Sequence, residues 1–228
     1  NTFYRDIQFD KYLRDYQPYY TRMVADVKKN LPPPEFIPVL ENFYHKTFRE
    51  YCLVPGLNIL TSMGFGKTHH ARNTIYNAFG PFGFMTFNPT QPDPGFDYPG
   101  RIANLSVHEF GHSFVNPAID KLPAELLRST ERLYEPVSQS MKKQAYTTWT
   151  TCLYEHFVRA GEVIIARKMG RSAVADKMLN DNVQAGFIYL PFIVKELEVY
   201  DKTEPEKKEY DSFVLTIMEH LRDTKEFR

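Results

Sequence analysis

The sequence predicts an α+β fold in which a turn-rich, strand-bearing front half precedes a mainly helical back half. Two observations carry this. Twelve of the 16 Pro and eight of the 11 Gly fall within the first 117 of 228 residues, where short aromatic-rich runs sit between turn residues. Past that point, apolar residues recur at helical spacing in segment after segment. The expected organisation is a front lobe over residues 1–117 and a helical lobe over 118–228, built as one unit.

The elements follow in order. Residues 9–30 read as one helix or as a pair of helices interrupted at Pro18. Pro32-Pro33-Pro34 stops helix and sets an extended connection. Residues 35–51 read as a helix, with Phe36, Val39, Leu40, Phe43, Tyr44 and Phe48 at helical spacing. The period then changes: residues 57–60, 75–79 and 82–87 are short runs bounded by Gly, Pro and Asn, which is strand chemistry. Residues 88–100 are loop. Helix returns over 101–116 and is expected to close at Asn116-Pro117. Helical patterns follow over 122–142, 145–169, 171–184, 186–200 and 209–223.

Composition excludes several classes of function. With 28 basic and 28 acidic side chains the formal net charge is zero, so no basic excess exists to neutralise nucleic-acid phosphates or an acidic membrane surface. No run approaches the roughly 20 apolar residues of a spanning helix. Cys52 and Cys152 form no framework and no C-x-x-C pair. The chain starts at Asn1 with no apolar leader behind it, so it reads as a processed or shortened form.

Three features are set aside. Gly66-Lys67-Thr68 resembles the end of a phosphate-binding loop, but Thr61 stands where that motif needs a glycine, so a turn between strands is the better reading. Asn104-Leu105-Ser106 matches a glycosylation acceptor inside a predicted helix. His69-His70 reads as a solvated turn.

His108-Glu109-Phe110-Gly111-His112 carries the chemistry. On a helix, residues four apart project from one face, so both imidazoles can reach one metal ion. Glu109 lies beside that position, where its carboxylate can take a proton from a bound water. Ala103, Val107, Phe110 and Phe114 form an apolar stripe on another side of the same helix. Gly111 inside a helix costs about 1 kcal/mol relative to Ala, which points to a close approach there. The expected cofactor is zinc, and the expected base is Glu109.

A third protein ligand is needed. Position 118 is Ala118, which removes the pattern with a third His six residues on. Cys52 lacks a glycine-containing setting and reads as a small buried hydrophobe. A Glu from a downstream helix remains, and Glu125, Glu131, Glu135, Glu155 and Glu162 are the candidates. The first three sit on a charged segment between prolines. Glu155 and Glu162 share a helix whose other side is packed, and Arg159 follows Glu155 at i+4, where it can orient the carboxylate. The plain alternative is a helix-face ion pair. Glu155 is the preferred ligand, Glu162 the second. Tyr146, His156, Arg159, Tyr189 and His220 remain open as second-shell or transition-state groups.

The blocks His108–Pro117 and Tyr154–Ala160 resemble an uncharacterised family of secreted bacterial proteins, a domain of unknown function grouped with the gluzincin metallopeptidases. The resemblance implies a zincin-like arrangement: a small mixed sheet, an active-site helix beneath its edge strand, and a helical lobe carrying the glutamate. It implies His108, His112 and Glu155 as zinc ligands, Glu109 as general base, and a secreted or periplasmic location. The sequence departs from thermolysin in the wide gap from His112 to Glu155, which lies 43 residues further on, and it lacks that enzyme's Asn-Glu pattern at the glutamate.

The expected function is a zinc-dependent metallopeptidase acting on a peptide or protein substrate, which would pair with a cleft-edge strand at 75–79 or 82–87. Two alternatives stand beside it. One is a zinc amidase or deacetylase acting on non-peptide amides. The other is a silent peptidase-fold module that binds a peptide or glycan.

Overall fold

The computed structural model describes residues 2–86, 88, 90–204, 206, 209–225 and 227. It is an α+β structure with a three-stranded sheet and ten α-helices among these residues. Two compact units emerge. One holds residues 1–33 and 50–109, the other residues 34–49 and 110–228.

The first unit opens with α1 (Thr2–Asp6), none of whose residues is buried, and α2 (Phe9–Lys29). Helix α2 runs unbroken through Pro18, the first of the two expected alternatives. Tyr19, Met23 and Val27, four residues apart, are buried on its inner face, and their burial outweighs one lost backbone hydrogen bond.

Strand β1 (Glu50–Pro55) pairs in parallel with β3 (Thr74–Phe79), and β2 (Gly64–His69) pairs antiparallel with β3. The order β1-β3-β2 makes β3 central and β2 an edge. A 3₁₀ turn at His70–Arg72 and left-handed Asn73 (φ 51°) join β2 to β3; Asn tolerates that conformation better than most residues. His69 and His70 are exposed there. Ile75, Asn77 and Phe79 alternate onto the buried face of β3. Tyr19, Met23, Val27, Leu57, Phe79, Phe96 and Ile102 form this unit's core.

Of the three expected strands, only 75–79 is one. Residues 57–60 are not a strand: the Gly56 N–H donates to the Phe79 carbonyl at 2.8 Å, ending β1, and the chain turns at once, leaving Leu60 exposed. Over 82–87 the Phe82 and Gly83 N–H groups both donate to the Gly95 carbonyl, and Thr86 makes an isolated bridge to Asp93; Phe87 lies outside the described residues. Gly66 is not in a turn but in the middle of β2. The expected cleft-edge strand therefore moves: 75–79 is central and 82–87 is no strand, so β2 is the candidate edge.

Helix α3 (Phe36–Tyr44) stops at His45, which adopts φ 51°, so the expected helix over 35–51 divides into α3 and the start of β1. Helix α4 (Arg101–Asp120) passes through Pro117 and ends one turn later than expected. Buried Ala118 and Ile119 hold that last turn. The boundary between the two units falls within α4, after Glu109.

The second unit continues with α5 (Ala124–Thr130), a 3₁₀ stretch (Glu131–Val137) containing Pro136, and α6 (Ser138–Lys143), in place of one helix over 122–142. Then come α7 (Trp149–Lys168), α8 (Ser172–Gln184), α9 (Leu190–Asp201) and α10 (Tyr210–Asp223). Helix α7 is the axis of this unit, with 14 of its 20 residues buried. It starts at a reciprocal cap between Thr148 and Thr151, satisfying end groups that would otherwise lack partners. Gly170, at φ 72°, follows its C-cap Met169. Tyr44 stacks on Phe114 at 4.5 Å. A Cβ at Gly161 would collide with the Tyr44 hydroxyl, so glycine there lets α3 reach α7. No described helix is long and apolar enough to cross a membrane.

Candidate metal centre

Helix α4 places His108 and His112 on successive turns of one face, and α7 presents Glu155. One ligand atom from each of these three residues lies within 4.8 Å of the others. Glu155 is 6% exposed although it carries a carboxylate. Such a group is costly to bury without partners, and its partners are visible. Oε1 lies 3.4 Å from His112 Nε2, and Oε2 lies 3.2 Å from an Arg159 Nη. The two oxygens thus face different ways, one towards the histidine and one towards the guanidinium.

Arg159 is itself fixed. It donates to Asn182 Oδ1 at 3.0 Å and to the Tyr146 hydroxyl at 3.4 Å, and its guanidinium stacks over Phe187 at 4.5 Å. Burial first, and then the charge of Glu155, raise the pKa of Tyr146 above its ordinary value. Its hydroxyl stays protonated at neutral pH. Tyr146 and Arg159 therefore converge on Glu155.

On the histidine side, His112 Nδ1 lies 3.1 Å from Asn116 Oδ1. If Nδ1 carries the proton it donates to that oxygen, which leaves Nε2 with its lone pair directed at Glu155 and the cluster. An outer partner of this kind fixes the tautomer of a ligating imidazole. Sequence reading passed over Asn116, because Asn-Pro looked like a helix end; the signal was the i, i+4 spacing from His112.

Glu109 is 7% exposed, and its carboxylate lies over Gly64 of β2. The expected stripe is partly displaced: Phe110 and Phe114 are buried, whereas Ala103 and Val107 are only half-buried. Gly111 faces Val158 and the Tyr44 hydroxyl, where a Cβ would be a tight fit, 3.3 Å from Val158 Cγ1 and 3.6 Å from the hydroxyl.

The remaining candidates lie elsewhere. Glu125, Glu131 and Glu135 are exposed. Glu162 is buried two turns beyond Glu155 and its charge acts on Arg159 and Tyr44, but it is not one of the three converging residues. His156 turns into the core, its Nδ1 2.8 Å from the Cys152 carbonyl and its ring against Phe187 and Tyr189. Burial lowers its pKa to about 4, keeping it neutral. Tyr189 donates to the Leu133 carbonyl at 2.6 Å, and His220 pairs with Glu196 at 2.9 Å. Cys52 is half-buried in β1 rather than fully enclosed.

The class defined by fold and site is thus an α+β protein with a three-stranded mixed sheet and a cluster of two histidines and one glutamate able to hold a metal ion. The family model described as "Domain of unknown function (DUF4932)" matches residues 1–219, and the chain belongs to that family. None of the curated proteins and none of the solved structures compared matches it.

Proposed function

We propose that the protein is a zinc-dependent hydrolase of the gluzincin type, cleaving peptide bonds with Glu109 as general base. The observation that carries this reading is the convergence of His108, His112 and Glu155 within 4.8 Å, with the buried Glu109 beside the first histidine on α4. Two imidazoles and one carboxylate suit zinc and leave a fourth position for water. The ion supplies a Lewis acid that lowers the pKa of bound water to about 7 and polarises a carbonyl.

The chain's own residues do the rest. Asn116 holds the His112 ring, and Arg159 and Tyr146 hold Glu155. Glu109 accepts a proton from the attacking water and returns it to the leaving amine. Strand β2, at one edge of the sheet, is where an extended peptide would add by backbone pairing, and its inward residues Gly64 and Gly66 border Glu109. This edge favours a peptide over a non-peptide amide. The buried base, in turn, favours an enzyme over a binding module.

Metal analysis of the purified protein is the test. About one zinc per chain is expected, and His108→Ala should remove it. A full complement of zinc in that variant would sink the reading.

A further inference from the structure

We propose that Gly64 is a positioning residue: the absence of a side chain there sets where the Glu109 carboxylate lies. The inference rests on the hydrolase reading above and concerns a residue that this reading leaves without a role.

Along β2, Gly64, Gly66 and Thr68 are half-buried and alternate with exposed Phe65, Lys67 and His69. The two glycines are there for different reasons. At Gly66 a Cβ would fall on the carbonyl oxygen of Glu109, a backbone atom that can move only if strand and helix separate. That glycine is a packing requirement. At Gly64 a Cβ would meet Glu109 Oε1 at 2.8 Å, Leu105 Cδ1 at 2.9 Å and Glu109 Cδ at 3.1 Å. Every one of these atoms belongs to a side chain that can swing.

Backbone conformation does not demand glycine here, because Gly64 is not among the residues with positive φ. It pairs in ordinary antiparallel register with Phe79. Alanine would therefore be accepted by the fold and resisted by the carboxylate. Glu109 is only 7% exposed, so its carboxylate can swing away from a Cβ at position 64 but only by leaving its present place. A methyl group at position 64 shifts the base out of line, and a displacement on the order of 1 Å at a catalytic group costs about 100-fold in rate.

The experiment compares the parent with Gly64→Ala, Gly66→Ala and Glu109→Gln. Melting temperature, zinc per chain and the dissociation constant for acetohydroxamate are measured on each, together with kcat and KM on a peptide that the parent cleaves. Acetohydroxamate chelates the metal and hydrogen-bonds to the base, so its affinity reports the carboxylate's position without turnover. Gly64→Ala should keep its zinc and melt within about 3 °C of the parent. It should bind acetohydroxamate about tenfold more weakly, as Glu109→Gln does, and lose at least about tenfold in kcat with KM within about twofold. Gly66→Ala should instead lose stability.

Parent-like acetohydroxamate affinity in a zinc-loaded Gly64→Ala overturns this inference and leaves the hydrolase reading standing. Loss of zinc or of fold in Gly64→Ala also overturns it, by making the glycine structural. A parent that takes up no zinc overturns the hydrolase reading and this inference with it.

Discussion

The two units use their large apolar side chains differently. Among the described residues, 15 such side chains are exposed; 12 of them, from Phe3 to Tyr98, lie in the sheet-bearing unit, and only Val174, Ile188 and Val199 lie in the helical one. The helical unit instead closes around α7, where Glu155 and Glu162 are buried; the sheet-bearing unit buries Asp26 and Glu109. Candidate ligands His112 and Glu155 belong to the helical unit, whereas His108, the third candidate ligand, and the candidate base Glu109 belong to the sheet-bearing one. Holding an ion calls for donors fixed by packing and an outer ring of hydrogen bonds, and turnover calls for a group placed where an extended substrate can arrive.

Four measurements would break or sharpen that comparison. The largest effects should come from the site itself. Glu155→Ala should reduce zinc affinity by more than the roughly 10–100-fold that loss of an outer-shell partner costs. Glu109→Gln should retain zinc and lose about 100-fold or more in kcat. Titration of metal against a fluorescent chelator and peptide turnover separate the two. If both substitutions strip the metal, Glu109 is needed to hold the ion and is not the base alone. Glu162→Ala should leave zinc affinity within about threefold of the parent, since Glu162 lies outside the cluster.

Next in size is the support of His112. Asn116→Ala should weaken zinc binding by about tenfold, and Asn116→Asp should restore most of it, because a carboxylate also accepts from Nδ1–H. Equal losses in both variants would make Asn116 a helix-packing residue only.

Packing at α7 should register as stability rather than affinity. The Tyr44 hydroxyl is buried without a hydrogen-bond partner among the described residues and stands where a Gly161 Cβ would go. Gly161→Ala should therefore cost about 1–3 kcal/mol by overpacking. Tyr44→Phe should be neutral or stabilising by about 1 kcal/mol and should recover much of that loss. Denaturant melts of the two single variants and the double variant decide it. Additive effects would mean the pair does not touch.

The mildest test reads thiol reactivity. Burial raises the Cys152 thiol to about 12. At pH 8 almost none of it is thiolate, and a folded chain should label only at Cys52, whose thiol burial raises less. Two labelled thiols per native chain would show that the helical unit opens readily.

The sequence made some of this visible and hid the rest for physical reasons. Helical periodicity places His108 and His112 on one face whatever surrounds them. The packed flank of 146–168 limits where a buried carboxylate can sit, so Glu155 and Arg159 were foreseeable as a pair. Strand β2 was not. Gly-Phe-Gly-Lys-Thr-His has Thr68 as its one β-branched residue, and two of its inward positions are kept empty for a helix backbone and a carboxylate. That reason is tertiary and leaves no local signal. Asn116 and Pro117 mislead in the same way: local rules end α4 there, and burial of Ala118 and Ile119 carries it on.

An edge strand with an open ladder makes no distinction between a substrate and a sister molecule. On the outer face of the sheet Val54 and Phe65 both stand beside Ala78, at 44% and 52% exposure, so the row nearest the edge is apolar. At high concentration or during partial unfolding, such an edge can template self-association. Lys67, exposed two residues along from Phe65, opposes this. In an antiparallel pairing of two β2 strands centred on position 67 it would confront its own copy, a like-charge contact that an incoming peptide of different sequence need not make. The residue that completes the false phosphate-loop signature thus acts in colloidal behaviour, keeping the edge available to guests and closed to kin.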